Sequence, residues 1–336
     1  MSGVAADSGD TLLASFLQPG TIWCYGHHPE AGGTVSNAPP PDDLPFRWVH
    51  LNLGDQRSQH WLEAHAGLPA PLLMLLRQHA ATPGVLAVPG GLGLAVNDFE
   101  HGLPPTGAGQ IGTLYIAATE RMLVTGRVRP LHSADLVHDR LTHGGEVGDP
   151  AAALTFLLGT MIDSFASLVL DLNTQLLEIE AEVMADAEAP DSRELVAARH
   201  RSAQLHRLAG SLRATLHRME AEPSLASAWR TVAPSLLPRL AMLEADITSA
   251  QQQLRLLRDD LDLQTAQRTN RNVYILSVLT AVMMPATLIT GFFGMNTGGL
   301  PFVQEGHGTV IATLIGLFSA AGTYGLLYRM GFFRRQ

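Results

Sequence analysis

Lysine is absent from this chain of 336 residues, and all 22 basic residues are arginine. Its absence excludes a phosphate-binding loop of the GK[ST] type, a Schiff-base lysine and a kinase lysine. So complete a bias is expected of a GC-rich genome and is not by itself a functional mark. Cysteine is nearly absent too: Cys24 stands alone, which excludes an internal disulfide and any multi-cysteine zinc cluster within one chain. The net charge of −9 argues against a general nucleic-acid surface, and no nucleic-acid partner is expected. Charged residues make up 16%, against about 25% in ordinary soluble domains. That deficit is local. No Asp, Glu, Lys or Arg occurs from Asn272 to Gln304 or from Gly306 to Tyr328.

Two membrane spans are implied. Val273 to Phe293 is 21 residues long and would rise about 31 Å as a helix, against a hydrocarbon core of about 30 Å. Thr309 to Tyr328 adds 20 residues, rich in the small side chains Gly316, Ser319, Ala320, Ala321, Gly322 and Gly325, which allow close helix contact. The alternative, a helical hairpin buried in a soluble protein, fits poorly with two full-length runs joined by a short loop. Arg268 and Arg271 precede the first run, Arg329, Arg334 and Arg335 follow the second, and the loop between has no arginine. Both termini are therefore expected in the cytoplasm of a multi-pass protein of the bacterial inner membrane. The start, MSGVAADSGD, has no basic residue followed by an apolar core, so no signal peptide or early anchor is expected.

The remaining chain reads as three parts. Residues 1 to about 40 look irregular and end in the proline and acid cluster NAPPPDD, with GTIWCYGH as a strand candidate. From Phe46 to Arg129, FRWVHLNL, GVLAVPGGLGLAV, IGTLYIAAT and RMLVTGRV read as strands, and SQHWLEAHAGLPAPLLMLLRQH has helical spacing. The glycines of VPGGLGLAV are read as a hairpin turn, since no helix start follows them. Ala151 to Glu188 and Ser192 to Glu220 then predict an antiparallel helical hairpin. Pro223, Pro234 and Pro238 mark a break, the last suited to a helix's first turn. Beyond it Leu240, Leu243, Ile247, Ala250, Leu254, Leu257 and Leu261 step by three and four, a stripe that packs helices along their length. Uninterrupted, Arg239 to Asn296 is one helix of 58 residues, roughly 87 Å long, and lateral association with other copies is the expected way to cover it. The expected partition is an α/β domain over 1–150, a helical hairpin over 151–238, a stalk over 239–272, spans over 273–296 and 309–328 around an outer loop over 297–308, and a tail over 329–336.

The first span has one distinct face. Stepping by three and four gives Asn270, Val273, Ser277, Thr280, Met284, Thr287 and Gly291, most of them polar or glycine. The other faces carry Tyr274, Ile275, Leu276, Leu279, Val282, Met283, Leu288 and Ile289. Polar groups at membrane depth favour a bundle interior or an aqueous pathway, although Ser and Thr also bond to the carbonyl one turn back without further meaning. With no charge on the stripe, it suits a hydrated ion passing weak neutral oxygens. Met284 would be a constriction and Asn296 a ring of carboxamides at the outer end.

Gly294, Met295 and Asn296 at the end of this run, in the context MMPATLITGFFGMN, resemble the signature of the CorA family of divalent cation transporters. Two C-terminal spans, a short outer loop and a long stalk share in that resemblance. It covers the last 100 residues strongly and the rest in outline. It implies an α+β cytoplasmic domain, a long stalk helix and two C-terminal transmembrane helices in a CorA-like homopentameric funnel, with the first span lining the pore. The loop TGGLP is more similar to the zinc transport subgroup than to the magnesium channels, which favours zinc as the transported cation, with no further cofactor and with uptake linked to protons. A magnesium or cobalt channel is the alternative.

Outside the spans, Glu305 and His307 in the loop could concentrate cations at the mouth, or be solvated loop residues. Asp259, Asp260 and Asp262 could draw cations at the inner end, or pair with Arg255 and Arg258 on a solvated face. The histidines, notably His27, His28, His132, His138, His143, His200, His206 and His217, lack the spacing of a metal site and are expected at the surface. No enzymatic constellation emerges. A membrane-anchored sensor is the competing class of function.

Overall fold

The computed structural model describes residues 20–28, 30, 32–37, 44–64, 66–79, 84–100, 110–184, 192–294 and 308–329. The start of the chain, most of the NAPPPDD cluster, Met295, Asn296, the loop with Glu305 and His307, and the tail after Arg329 lie outside them. By internal contacts the chain divides into two units, Met1–Leu257 and Arg258–Gln336.

The first unit is built on a seven-stranded sheet in the order β2-β1-β3-β7-β6-β5-β4. Its strands are β1 Thr21–His28, β2 Gly32–Ser36, β3 Phe46–Asn52, β4 Gly84–Val88, β5 Gly91–Phe99, β6 Ile111–Thr119 and β7 Met122–Arg127. All neighbours are antiparallel except β3 and β7. β4 and β5 meet through Pro89 and Gly90, with Gly90 at φ +73°, so the glycines make the expected hairpin. β2 was not visible in the sequence, because its residues GGTVS are short and polar. It is held by contact, not propensity: the Tyr25 ring lies over Gly33, where a Cβ would fall 2.0 Å from the phenol oxygen.

The stretch SQHWLEAHAGLPAPLLMLLRQH, read as helical from its spacing, forms two helices, α1 Gln56–Ala64 and α2 Ala70–Gln78. Gly67 at φ +56° and Pro69 break it between them. These helices cover one sheet face, around Val49, Leu51, Trp61, Leu62, Leu72, Leu76 and Val124. Against the other face lie α3 His132–Thr142, unforeseen in the sequence, and α4 Pro150–Met184. α3 has no side-chain cap of its own at Leu131; instead Asp98 on β5 accepts hydrogen bonds from the Ser133 N–H at 3.0 Å and from Ser133 Oγ at 3.0 Å. A cap supplied from another strand leaves no local trace in the sequence.

α5 Ser192–Ala221 returns along α4 as the predicted hairpin. After a 3-10 turn at Trp229–Thr231, α6 runs Val232–Gly294, 63 residues without interruption, about 95 Å at 1.5 Å per residue. Its start corrects the expected break: Pro234 sits in the first turn and Pro238 inside the helix. The hydrogen bond that Pro238 cannot donate is offset by burial of Leu236, Leu240 and Leu243. α7 Gly308–Arg329 completes the described chain.

The leucine stripe is also put to a different use than expected. Leu240, Leu243, Ile247, Ala250, Leu254 and Leu257 are buried within this one chain. Arg239 of α6 and Arg140 of α3 both donate to Asp163 on α4, the latter at 2.9 Å. Arg213 of α5 pairs with Glu244 at 3.1 Å, and Gln253 donates to Glu180 at 3.3 Å. The stripe serves the chain's own domain, so any association with other copies must use another face of α6.

Candidate ion pathway on the outer part of α6

Within the second unit, α6 shows two kinds of surface. Tyr274, Val278, Ala281, Val282, Pro285, Ala286 and Ile289 are partly covered. Asn270, Val273, Ser277, Thr280, Met284, Thr287, Gly291 and Gly294 are all exposed. The stripe predicted from spacing lies on the uncovered side of the helix, which it shares with the exposed Ile275, Leu276, Leu279, Met283 and Leu288. A concavity of about 790 Å³ follows it, lined by Thr280, Met284, Thr287 and Gly291 together with Leu279, Met283, Leu288 and Phe292.

The hydroxyls have a defined polarity. Ser277 Oγ donates to the Val273 carbonyl at 2.8 Å, Thr280 Oγ1 to Leu276 at 2.8 Å, and Thr287 Oγ1 to Met283 at 2.9 Å. Each proton is thus committed to the helix one turn back. What remains outward is the oxygen lone pair, an acceptor only. A row of neutral acceptors favours water molecules whose hydrogens point to the wall, as those around a cation do. It offers no charge or thiolate to strip that water away. The back-bonding alternative and the pathway reading therefore describe the same geometry from two sides.

Inward of the span, Asp259, Asp260 and Asp262 are exposed on α6. Asp262 lies 3.8 Å from Arg258 one turn earlier, a long surface pair of small energetic weight. Asn296, Met295, Glu305 and His307, the outer members of the predicted set, fall outside the described residues. On α7 the small residues divide: Gly316 is buried and Ser319, Ala320 and Thr323 are partly so, while Ala321, Gly322 and Gly325 are exposed, as are Leu317, Phe318 and Leu326.

The histidines divide. His28, His143, His200, His206 and His217 are exposed. His138 is half-buried with its ring 5.9 Å from Trp23. His50 was not singled out by spacing, yet it is buried, stacked on Trp23 at 5.1 Å, with Nδ1 2.8 Å from Thr125 Oγ1. Trp48 Nε1 donates to the same Thr125 oxygen at 3.0 Å. Burial, with Arg127 and His138 nearby, pushes the His50 imidazole down to about 3, so it stays neutral. Its strand FRWVHLN reads as core, and only the cross-strand partners Trp23 and Thr125 explain the polar residue within it. Among the described residues no three His, Cys, Asp or Glu side chains are grouped to hold a metal.

Comparison with known proteins agrees with this architecture. A relative named divalent cation transporter CmaX, from Pseudomonas aeruginosa, is 29% identical over 280 residues, covering 80% of this chain and 82% of that protein. The zinc transport protein ZntB of Yersinia enterocolitica is 24% identical over 265 residues, covering 78% and 80%. Among solved structures, full-length CmaX superposes with a TM-score of 0.72 at 25% identity over 93% of this chain and 98% of that one. The CorA magnesium transporter of Methanocaldococcus jannaschii gives 0.74 at 14% identity over 92% and 98%, a likeness of fold. The family model described as CorA-like Mg2+ transporter protein matches residues 44–329, and the chain belongs to that family.

Proposed function

We propose that this protein carries a divalent metal cation, zinc in the first place, across the bacterial inner membrane through a central pathway formed by five copies of the outer part of α6. The uncovered acceptor stripe from Asn270 to Gly294 carries this reading. In a single chain, polar oxygens at membrane depth have no partner beyond their own helix. Around a symmetry axis the same face encloses water. Asn296 of each copy forms the outer carboxamide ring, Gly291 and Gly294 let the helices converge there, and Met284 narrows the middle. Glu305 and His307 raise the local cation concentration outside, and Asp259, Asp260 and Asp262 do so inside. The arginines flanking the two spans place both termini in the cytoplasm.

Zinc is favoured by the TGG that follows Asn296 and by the relatives named as zinc transport proteins. Magnesium or cobalt is the second reading, because neutral oxygens and water also suit harder cations. The test is flux of zinc, magnesium, cobalt and nickel, each alone, into proteoliposomes. Replacing Asn296 with Ala should abolish it, and unchanged uptake would remove the ring from the pathway. An imposed pH gradient that leaves zinc uptake unaltered would remove the proton link. A protein that moves none of these ions would return the choice to a membrane-anchored sensor.

A further inference from the structure

α4 carries five acidic residues and no arginine or histidine, whereas α5 carries six arginines and three histidines against two glutamates. Their inner faces are already used: Leu172, Leu176 and Ile179 of α4 and Leu205, Leu208 and Leu212 of α5 are buried. The outward face of α4 is nevertheless apolar. Leu170, Thr174, Leu177, Ala181 and Met184 step by four and three, and all are exposed, Leu170 at 67% and Leu177 at 60%. That is the spacing of a seam made for another helix. The outward face of α5 also repeats every seven residues, with smaller members: Val196 and Ala203 are exposed, and a Cβ added at Gly210 would meet nothing within 4 Å. One helix presents ridges and the other a groove.

The heights of the two faces agree. Arg201 of α5 donates to Gln175 of α4 at 3.4 Å, and counting along the antiparallel pair from that contact sets Leu177 level with Arg199 and Leu170 level with His206. Leu177 therefore stands midway between Val196 and Ala203, and Leu170 midway between Ala203 and Gly210. Beside them, the exposed Glu178 and Asp171 lie within one residue of the heights of the exposed Arg199 and His206. A ring of copies whose axis runs along α6 keeps every copy at one height, so these matches also hold between neighbours. The exposed apolar residues of α6 in this unit, Met242 and Leu256, match less well, being large and flanked by charges of both signs, Asp246 and Arg255.

We propose that the outward face of α4 in one copy docks on the outward face of α5 in the next, with Leu170 and Leu177 entering the gaps along Val196, Ala203 and Gly210. Glu178 meets Arg199 across that contact, and Asp171 meets His206. The occupant of both faces is a second copy of this chain. Because the two faces differ, the contact runs head to tail and closes as a ring. This rests on the axial arrangement of α6 proposed above.

Oxidation of the full-length protein in native membranes with copper phenanthroline provides the test. The native Cys24 is buried in the core, its thiol pushed up to about 12 by desolvation, and does not compete. The double variant Leu177→Cys with Ala203→Cys should give a ladder of cross-linked chains, and each single variant should give none. Adding Glu178→Arg to the double variant should cut the ladder several-fold, and adding Arg199→Glu as well should restore it. Met284→Cys, on the outer part of α6, tests the axial arrangement separately. A ladder at Met284→Cys without one in the double variant would overturn the α4–α5 contact and leave the axial arrangement standing. Failure at both would overturn the arrangement of copies itself. Dimers from Leu177→Cys alone would mean that α4 faces α4, and fast labelling of both cysteines by a water-soluble maleimide would mean that the faces are open to solvent; either result overturns the contact.

Discussion

α4 and the outer part of α6 each contain a stretch long and apolar enough to cross a membrane, yet 61% of that stretch is buried in α4 and none of it in α6. α4 has partners on several sides. The sheet, α3 and α5 all pack on it, and its polar residues Thr160 and Asp163 meet Arg140 at 3.1 and 2.9 Å. The outer part of α6 has a run with no charge at all, and its hydroxyls turn back on their own helix. Apolar composition therefore does not tell a core helix from a span. What separates them is whether the run is covered by the rest of the fold, since α4 too has hydroxyls, Thr155 and Thr174, that turn back on their own helix.

The largest expected effect breaks the comparison at α4. Phe165 is buried and packs edge-on against Phe99 at 6.0 Å, so Phe165→Ala should cost about 3–5 kcal/mol. Leu288→Ala, on the exposed side of α6, should stay within about 0.5 kcal/mol. Thermal unfolding of the detergent-solubilised protein measures both, and equal losses would mean that the outer helix is covered by protein after all.

The next effect concerns the buried polar groups between the sheet and α3. Desolvation raises the Asp98 carboxyl to about 6, against its hydrogen bonds from Ser133 and Phe99. The folded protein therefore takes up a proton at Asp98 before the unfolded chain does, which adds up to about 3 kcal/mol of stability as pH falls from above 6 towards 4. His50 acts in the opposite sense. Its folded value of about 3 lies below the ordinary 6.5, so stability is lost as pH falls through that same window. The two largely offset each other. Asp98→Asn should leave a protein that weakens steeply below about pH 6, and His50→Gln one that weakens less than wild type. Unfolding midpoints measured across that range decide it; parallel profiles in all three proteins would show that neither group titrates with folding.

The smallest effect on stability sharpens the other side of the comparison. Thr287→Val removes a hydroxyl bonded only to its own helix, so the unfolding midpoint should shift by less than about 0.5 kcal/mol. Cation flux should nonetheless fall, because an acceptor oxygen leaves the stripe. Unchanged flux would reduce that hydroxyl to a local helix contact.

Legibility followed the range of the interactions. The strands from β3 to β7, the α4–α5 hairpin and the exposed stripe each rest on a local period, 2.0 or 3.6 residues, and could be read from spacing. β2, α3 and the fate of the leucine stripe could not. β2 depends on Tyr25 closing over Gly33, and the α3 start depends on Asp98, 35 residues away. The stripe from Leu240 to Leu257 has the spacing of an intermolecular zipper, and only the presence of α4 and α5 beside it shows that it is satisfied within the chain. Of the candidate site, the residues from Asn270 to Gly294 were picked out by spacing, and the structure shows them exposed on α6. It gave no sign of His50, whose partners are on neighbouring strands.

By itself the sequence determined where membrane-compatible helices lie, that one of them has a polar face, and that lysine chemistry, an internal disulfide and a multi-cysteine metal cluster are excluded. Those are properties of composition and period, and they hold whatever the chain packs against. Only the tertiary structure decided which apolar face of α6 is already covered, which is open, and where the hydroxyl protons point. Burial depends on neighbours distant in sequence, and a hydroxyl's free lone pair is known only once its donor bond has been placed.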